Sequence, residues 1–257
     1  MNRIAKAFEK HKALITFVTA GDPNLDKTAE LLIAMQEAGA DLIEIGIPFS
    51  DPVAEGPVIQ DANVRALSMG TTTDHIFDML ERMKDKITVP LVFMTYMNPI
   101  FTYGTERFME KCQACGIDGV IVPDVPYEEK EELEGAAKKY GITQISMIAP
   151  TSENRIQMIA SEAQGFLYCV SSLGVTGVRS KITTDIKSMI KSAKEVTNLP
   201  CAIGFGIASK EQAKEMAELS DGVIIGSAIV RIIGENPDTC VQKVGEFVSE
   251  IKTGMME

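Results

Sequence analysis

Two patterns of apolar spacing take turns along the 257 residues. Short runs rich in aliphatic and aromatic residues, apolar on both faces, occupy Leu14–Thr19, Leu42–Ile47, Leu91–Tyr96, Gly119–Val122, Thr143–Ile148, Phe166–Ser171, Cys201–Phe205 and Val223–Ile225. Their length and continuity predict strands buried on both sides, as parallel strands are. Between them, apolar residues recur at three- and four-residue spacing over Asp26–Ala38, Thr73–Lys84, Thr105–Cys115, Glu128–Tyr140, Asn154–Ala163, Thr184–Val196 and Ser209–Leu219, with a last such stretch over Asp238–Ile251. That spacing predicts amphipathic helices. Eight strands, each followed by a helix, predict a parallel α/β sheet.

A weak internal repeat favours closing that sheet. Asp41, Asp118 and Asp221 each stand just before a strand, and Gly39 and Gly116 end the helices ahead of the first two. Strand starts are the face of a barrel that carries stability, so these aspartates are read as structural. No Ser- or Pro-rich linker divides the chain, and one domain over residues 1–257 is expected. An open doubly wound sheet is the alternative. Eight regular units without a break in strand order favour a single (β/α)8 TIM barrel with an extra N-terminal helix, which contains His11.

Composition then narrows the partners. Acidic residues outnumber basic ones 36 to 25, a net charge of -11. That balance argues against a nucleic-acid surface or an anionic membrane surface, though backbone amides can still bind a small anion. No apolar run approaches about 18 residues, and the basic N-terminus lacks the apolar stretch of a signal peptide. A cytoplasmic protein is expected. Cys112 and Cys115 have C-x-x-C spacing, but no second pair completes a zinc site, and five cysteines in helical or strand patterns read as ordinary reduced thiols.

A barrel of this kind does its chemistry at the C-terminal ends of its strands. Only one predicted strand carries a charge there: Leu42-Ile43-Glu44-Ile45-Gly46. Alternation turns Leu42, Glu44 and Gly46 inward when Ile43 and Ile45 face the helices. A buried carboxylate costs several kcal/mol unless paired or protonated, and no strand offers a basic partner. Glu44 is therefore a candidate catalytic acid or base. No strand holds a lysine, which disfavours Schiff-base chemistry, and neither His11 nor His75 is placed to act at the mouth or to bind a metal. The segment from Ile47 to Pro57 contains Pro48, Pro52 and Pro57, predicting a stiff non-helical loop that brings Asp51 and Glu55 near Glu44. Glycine-rich turns follow the last three strands: Gly174 to Gly177, Gly204 to Gly206, and Gly226-Ser227, the last opening a short helix. Together they predict a phosphate site, because glycine lets backbone amides approach an oxyanion and a helix N-terminus favours negative charge.

With these motifs the chain resembles the α subunit of tryptophan synthase over essentially its full length. The resemblance is carried by Phe17-Val18-Thr19-Ala20-Gly21-Asp22-Pro23, by Leu42 through Pro52, by Gly174-Val175-Thr176-Gly177, by Gly204-Phe205-Gly206-Ile207 and by Gly226-Ser227-Ala228. It implies reversible cleavage of indole-3-glycerol phosphate to indole and glyceraldehyde 3-phosphate. It implies Glu44 as the general acid/base and Glu55 as a second carboxylate facing the indole N–H, where well-known relatives carry aspartate. Phe17, Tyr96, Ile121 and Tyr168 fall on positions of the indole pocket. Thr176, Gly177, Phe205, Gly206, Gly226 and Ser227 fall on substrate-binding loops, with Thr176 in a lid. Asp51, Pro52, Asn98 and Phe101 match contacts to a β subunit in an αββα heterotetramer. Pyridoxal phosphate is expected only on that partner; no cofactor and no metal are expected here. The rivals are another phosphate-binding barrel enzyme, such as a sugar-phosphate isomerase, and a non-catalytic barrel that activates a partner. The loop after Glu44 speaks against the first, and the retained Glu44 with its glycine turns against the second.

Overall fold

The structure is a computed structural model that describes residues 3–170, 179–204 and 206–257, side chains of 179–185 excepted. Among the described residues nine parallel strands occur: β1 Ala13–Thr19, β2 Leu42–Gly46, β3 Leu91–Met94, β4 Gly119–Ile121, β5 Thr143–Gln144, β6 Ser146–Ile148, β7 Leu167–Val170, β8 Cys201–Gly204 and β9 Gly222–Ile225. Their order is β5-β4-β3-β2-β1-β9-β8-β7-β6. β5 and β6 are two segments of one run, parted only by Ile145, so eight strand positions make a nearly closed barrel. The single strand expected over Thr143–Ile148 is thus corrected to two. The first segment bonds β4 and the second bonds β7, because strands in a barrel are staggered and each end meets a different neighbour.

Twelve helices surround it among the described residues: α1 Arg3–Lys6, α2 Leu25–Glu37, α3 Pro57–Ser68, α4 Thr73–Met83, α5 Met97–Tyr103, α6 Thr105–Cys115, α7 Glu131–Tyr140, α8 Glu153–Glu162, α9 Arg179–Lys194, α10 Lys210–Leu219, α11 Ser227–Glu235 and α12 Cys240–Met256. Asn24, Thr72, Ser152 and Ser209 start α2, α4, α8 and α10 by accepting a backbone N–H on the side chain. The N-terminal helix is shorter than its pattern suggests. It ends at Lys6, and His11 lies beyond it, 2.8 Å from Asp41. The chain turns there because Ile4, fully buried, plugs the barrel floor, and Phe8 packs on Phe166 before β1 begins.

Alternation along the strands builds two cores. Leu14, Val18, Ile43, Ile45, Leu91 and Phe93 pack outward against the helices. Ile15, Leu42, Val92, Ile121, Ile145, Phe166, Ala202 and Ile224 fill the interior above Ile4. The three repeat aspartates each join a strand start to its neighbour. Asp41, Asp118 and Asp221 accept the amides of Leu14, Leu91 and Cys201 at 2.7, 3.0 and 2.9 Å, and return their own amides to the same residues' carbonyls, each at 2.8 Å. A cation accompanies each: Lys252, Arg3 and Lys194, respectively. A cavity of about 470 Å³ opens on the barrel flank between α7 and α8, lined in part by Ile142, Gln144, Met147 and Ile159.

Candidate active site at the barrel mouth

Strand pairing puts Glu44 beside Phe17 of β1 and Val92 of β3. Its neighbours Ile43 and Ile45 belong to the outer core and Leu42 to the inner one, so Glu44 points into the barrel, as its sequence pattern requires. The side chain is fully buried, and neither carboxyl oxygen has a hydrogen-bond partner among the described residues. Burial raises its pKa from 4.5 to about 8. The carboxylic acid therefore holds its proton at neutral pH, loaded to act first as an acid. Tyr168 on β7 is close enough to feel the charge of Glu44. Burial, then that charge, pushes its phenol well above the ordinary range.

Two glycines at strand ends make room for aromatic rings, and a third, Gly226, lies against one. A Cβ on Gly46 would meet the Phe17 ring at 2.6 Å, and one on Gly226 would meet Phe17 at 3.4 Å. A Cβ on Gly204 would meet the Tyr168 hydroxyl at 2.7 Å. Phe17 and Tyr168 thus depend on absent side chains at the ends of β2 and β8, whereas a Cβ on Gly226 would only touch Phe17. Ile121 ends β4, fully buried in the inner core. Tyr96 is not in a strand, since β3 stops at Met94; it is the N-cap residue of α5, almost fully buried, with its ring 5.5 Å from Phe49.

Glu55 sits in the loop after β2, half-buried. Burial raises its pKa, opposed by hydrogen bonds from Asn63 and Tyr96. The Asn63 amide donates to Oε2 of Glu55 at 2.7 Å. The hydroxyl of Tyr96 also accepts the Ala54 amide at 3.1 Å, and burial pushes this phenol up to about 12. Glu55 therefore occupies a braced position, and Tyr96 does more than line a pocket. Asn63 escaped the sequence reading altogether. The signal that could have found it is a polar residue on the apolar stripe Ile59, Ala62, Asn63, Ala66 of α3.

In the glycine-rich turns expected to bind phosphate, Gly206 is exposed with φ 67°, a conformation that favours glycine. Gly226 caps α11, whose exposed Ser227 begins a helix with free backbone amides. Thr176, Gly177 and Phe205 lie outside the described residues. Of the positions matched to a partner, Asp51, Asn98 and Phe101 are exposed and Pro52 is half-buried. Phe101 is 73% exposed, and Val53, which the sequence reading did not name, is 77% exposed. Large apolar side chains left in water beside the mouth suit a protein contact. Cys112 and Cys115 are buried core residues, with burial pushing both thiols up. Among the described residues no helix is long and apolar enough to cross a membrane.

This arrangement has close counterparts. The family described as tryptophan synthase alpha chain matches residues 4–256. The tryptophan synthase alpha chain of Thermoanaerobacter sp. strain X514 is 47% identical over 259 residues, covering 98% of this chain and 99% of the relative. That of Lactiplantibacillus plantarum is 48% identical over 243 residues, covering 94% and 92%. Among solved structures, the tryptophan synthase subunit alpha of Legionella pneumophila strain Paris superposes with a TM-score of 0.90 at 36% identity, covering 100% of this chain and 99% of that one. A chain of the M. tuberculosis tryptophan synthase in an open form superposes with a TM-score of 0.89 at 27% identity, covering 100% and 99%. Matched end to end in both sequence and barrel, the chain belongs to the tryptophan synthase alpha chain family.

Proposed function

We propose that Glu44 and Glu55 are the two carboxylates that perform the cleavage characteristic of this family. As a member of it, the protein cleaves indole-3-glycerol phosphate to indole and glyceraldehyde 3-phosphate in tryptophan biosynthesis. Pyridoxal phosphate belongs to its partner, the β subunit. The observation that carries the assignment is Glu44 in β2, fully buried inside the barrel with no hydrogen-bond partner on either carboxyl oxygen among the described residues, a setting that raises its pKa.

The chemistry follows from that state. Glu44 gives its proton to indole C3, which removes the ring's aromaticity and places positive charge on the indole nitrogen. The carboxylate of Glu55 accepts the indole N–H and stabilises that charge. Glu44, now ionised, takes the proton of the hydroxyl next to the breaking bond. The C–C bond electrons return to the ring, the hydroxyl carbon becomes the aldehyde, and Glu44 ends as it began. Phe17, Tyr96, Ile121 and Tyr168 surround the indole. Gly206, the Gly226–Ser227 start of α11, and the loops carrying Thr176, Gly177 and Phe205 hold the phosphate end. Asp51, Pro52, Asn98 and Phe101 face the β subunit in an αββα assembly in the cytoplasm, with the whole chain acting as one barrel domain.

Indole release from indole-3-glycerol phosphate, followed with and without β subunit, tests this reading. The wild type releases indole, faster with partner. Glu44→Gln, with its fold and ligand binding intact, does not. Activity of that variant above about a tenth of wild type would overturn the assignment of Glu44.

A further inference from the structure

We infer that Asn63 is a positioning residue for the cleavage: from α3 its amide fixes the orientation of the Glu55 carboxylate and stabilises its negative charge. The inference rests on the role given to Glu55 above. Asn63 stands where the apolar stripe of α3 calls for a small hydrophobic residue, and it is 4% exposed. A buried amide is unfavourable unless it is hydrogen-bonded, and this one spends a donor on Oε2 of Glu55 at 2.7 Å. Gln60, three residues earlier on the same face, donates to the Glu55 carbonyl at 2.8 Å. Side chain and backbone of Glu55 are thus both held from one helix.

That helix is itself keyed to the barrel. Arg65 donates through Nε and a terminal nitrogen to both oxygens of Asp22, at 2.8 and 2.7 Å, and Asp22 is fully buried just beyond β1. Gly234 of α11 leaves space for the guanidinium, since a Cβ there would lie 2.9 Å from it. Asn63 and Arg65 are about 200° apart around the helix axis, so α3 is tied on two sides and cannot roll without breaking one tie. The bidentate pair fixes α3, and α3 fixes Glu55.

Among the described residues, the groups that act on Glu55 are few. Tyr96, from the start of α5, is the titratable one, and its hydroxyl donates as Asn63 does. Arg65 on α3 is turned to Asp22. Burial drives Glu55 toward its neutral form, and two neutral donors oppose it. With one donor gone, ionisation needs a higher pH, and the acid limb of the cleavage profile moves up.

The test is the pH dependence of kcat/KM for indole release by the complex with β subunit, for wild type, Asn63→Leu, Glu55→Ala and the double variant. Leucine keeps the branched outline and the buried stripe of α3 but has no donor. The expected result is an acid limb raised by about one pH unit in Asn63→Leu, with the KM for glyceraldehyde 3-phosphate in the reverse direction unchanged. In the Glu55→Ala background Asn63→Leu should have no further effect. If Glu55→Ala is as active as wild type, the role of Glu55 falls and the inference with it. If Glu55→Ala is inactive but Asn63→Leu leaves the limb in place, or costs as much without Glu55 as with it, only the inference is overturned. Should Asn63→Leu not fold, Asn63→Ala, a strong helix former, answers the same question.

Discussion

Glu44→Gln should separate the cost of a loaded acid from its use. The wild-type side chain titrates at about 8 in the folded protein against an ordinary 4.5. Below the lower value it is protonated whether the chain is folded or not, and its contribution to stability is fully present. Between the two values the folded state keeps a proton that the unfolded state has released, so stability falls by about 1.4 kcal/mol per pH unit until the folded pKa is passed. Glutamine does not titrate, and its stability is flat through that window as far as this site is concerned. From about pH 5 to about pH 7, wild type should therefore lose ~3 kcal/mol relative to the variant. In a chain of this size that difference is roughly 5–10 °C in Tm. Thermal unfolding followed by circular dichroism at both pH values measures it, and the same samples are assayed for indole release, expected to drop at least about 100-fold. Wild-type and variant melts that shift in parallel with pH would refute the argument, because they would mean that the folded protein solvates or pairs the Glu44 carboxylate.

Glu55→Asp keeps the charge and should retain substantial cleavage, whereas Glu55→Ala should lose most of it; equal steady-state rates for the two would mark Glu55 as a solvated loop residue. Gly226→Val, which puts a branched side chain against Phe17 at the start of α11, should raise the apparent KM far more than it lowers Tm. Glycerol phosphate or inorganic phosphate should compete with substrate in wild type, and the absence of competition from any phosphate compound would count against the site. Arg65→Met strands buried Asp22 and should cost about 1.5–3 kcal/mol in urea unfolding, with Arg65→Lys recovering only part because an ammonium cannot make the two-point contact. Unchanged stability would mean that Asp22 does not rely on Arg65.

The barrel and the buried carboxylate inside it were legible in sequence for physical reasons. Strands such as Leu42–Gly46 are buried on both faces, so a single charge within one stands out against an otherwise apolar run. What escaped notice lay where a buried polar residue or a short element interrupts the pattern. α3 is a good helix, with Pro57 in its first turn, but its buried stripe contains Asn63, and a polar residue there breaks the periodicity by which helices are recognised. α5 spans only Met97–Tyr103 with Ile100 as its one buried residue, too short to show a period. Tyr96 reads as the end of a strand because spacing says nothing of its hydroxyl, which reaches across to Ala54 and Glu55. The break at Ile145 comes from closure, a property of neighbours far apart in sequence.

The aspartates at the strand starts divide the molecule in a way its continuous sheet conceals. They join β1 to β2, β3 to β4 and β8 to β9. The remaining quarter, from β5 through β7, has no such aspartate before β7, where Gln164 and Gly165 precede Phe166. It is also the quarter whose strand is broken and whose flank opens between α7 and α8. Severing the chain near Asp124, between β4 and α7, leaves each aspartate and its strand partner on one fragment. Severing it at Gly104, between α5 and α6, parts Asp118 from Leu91. The two cuts differ little in exposure but greatly in what each piece must recover. Halves cut where no aspartate bridges the boundary should therefore reassemble more readily than halves cut across such a bridge.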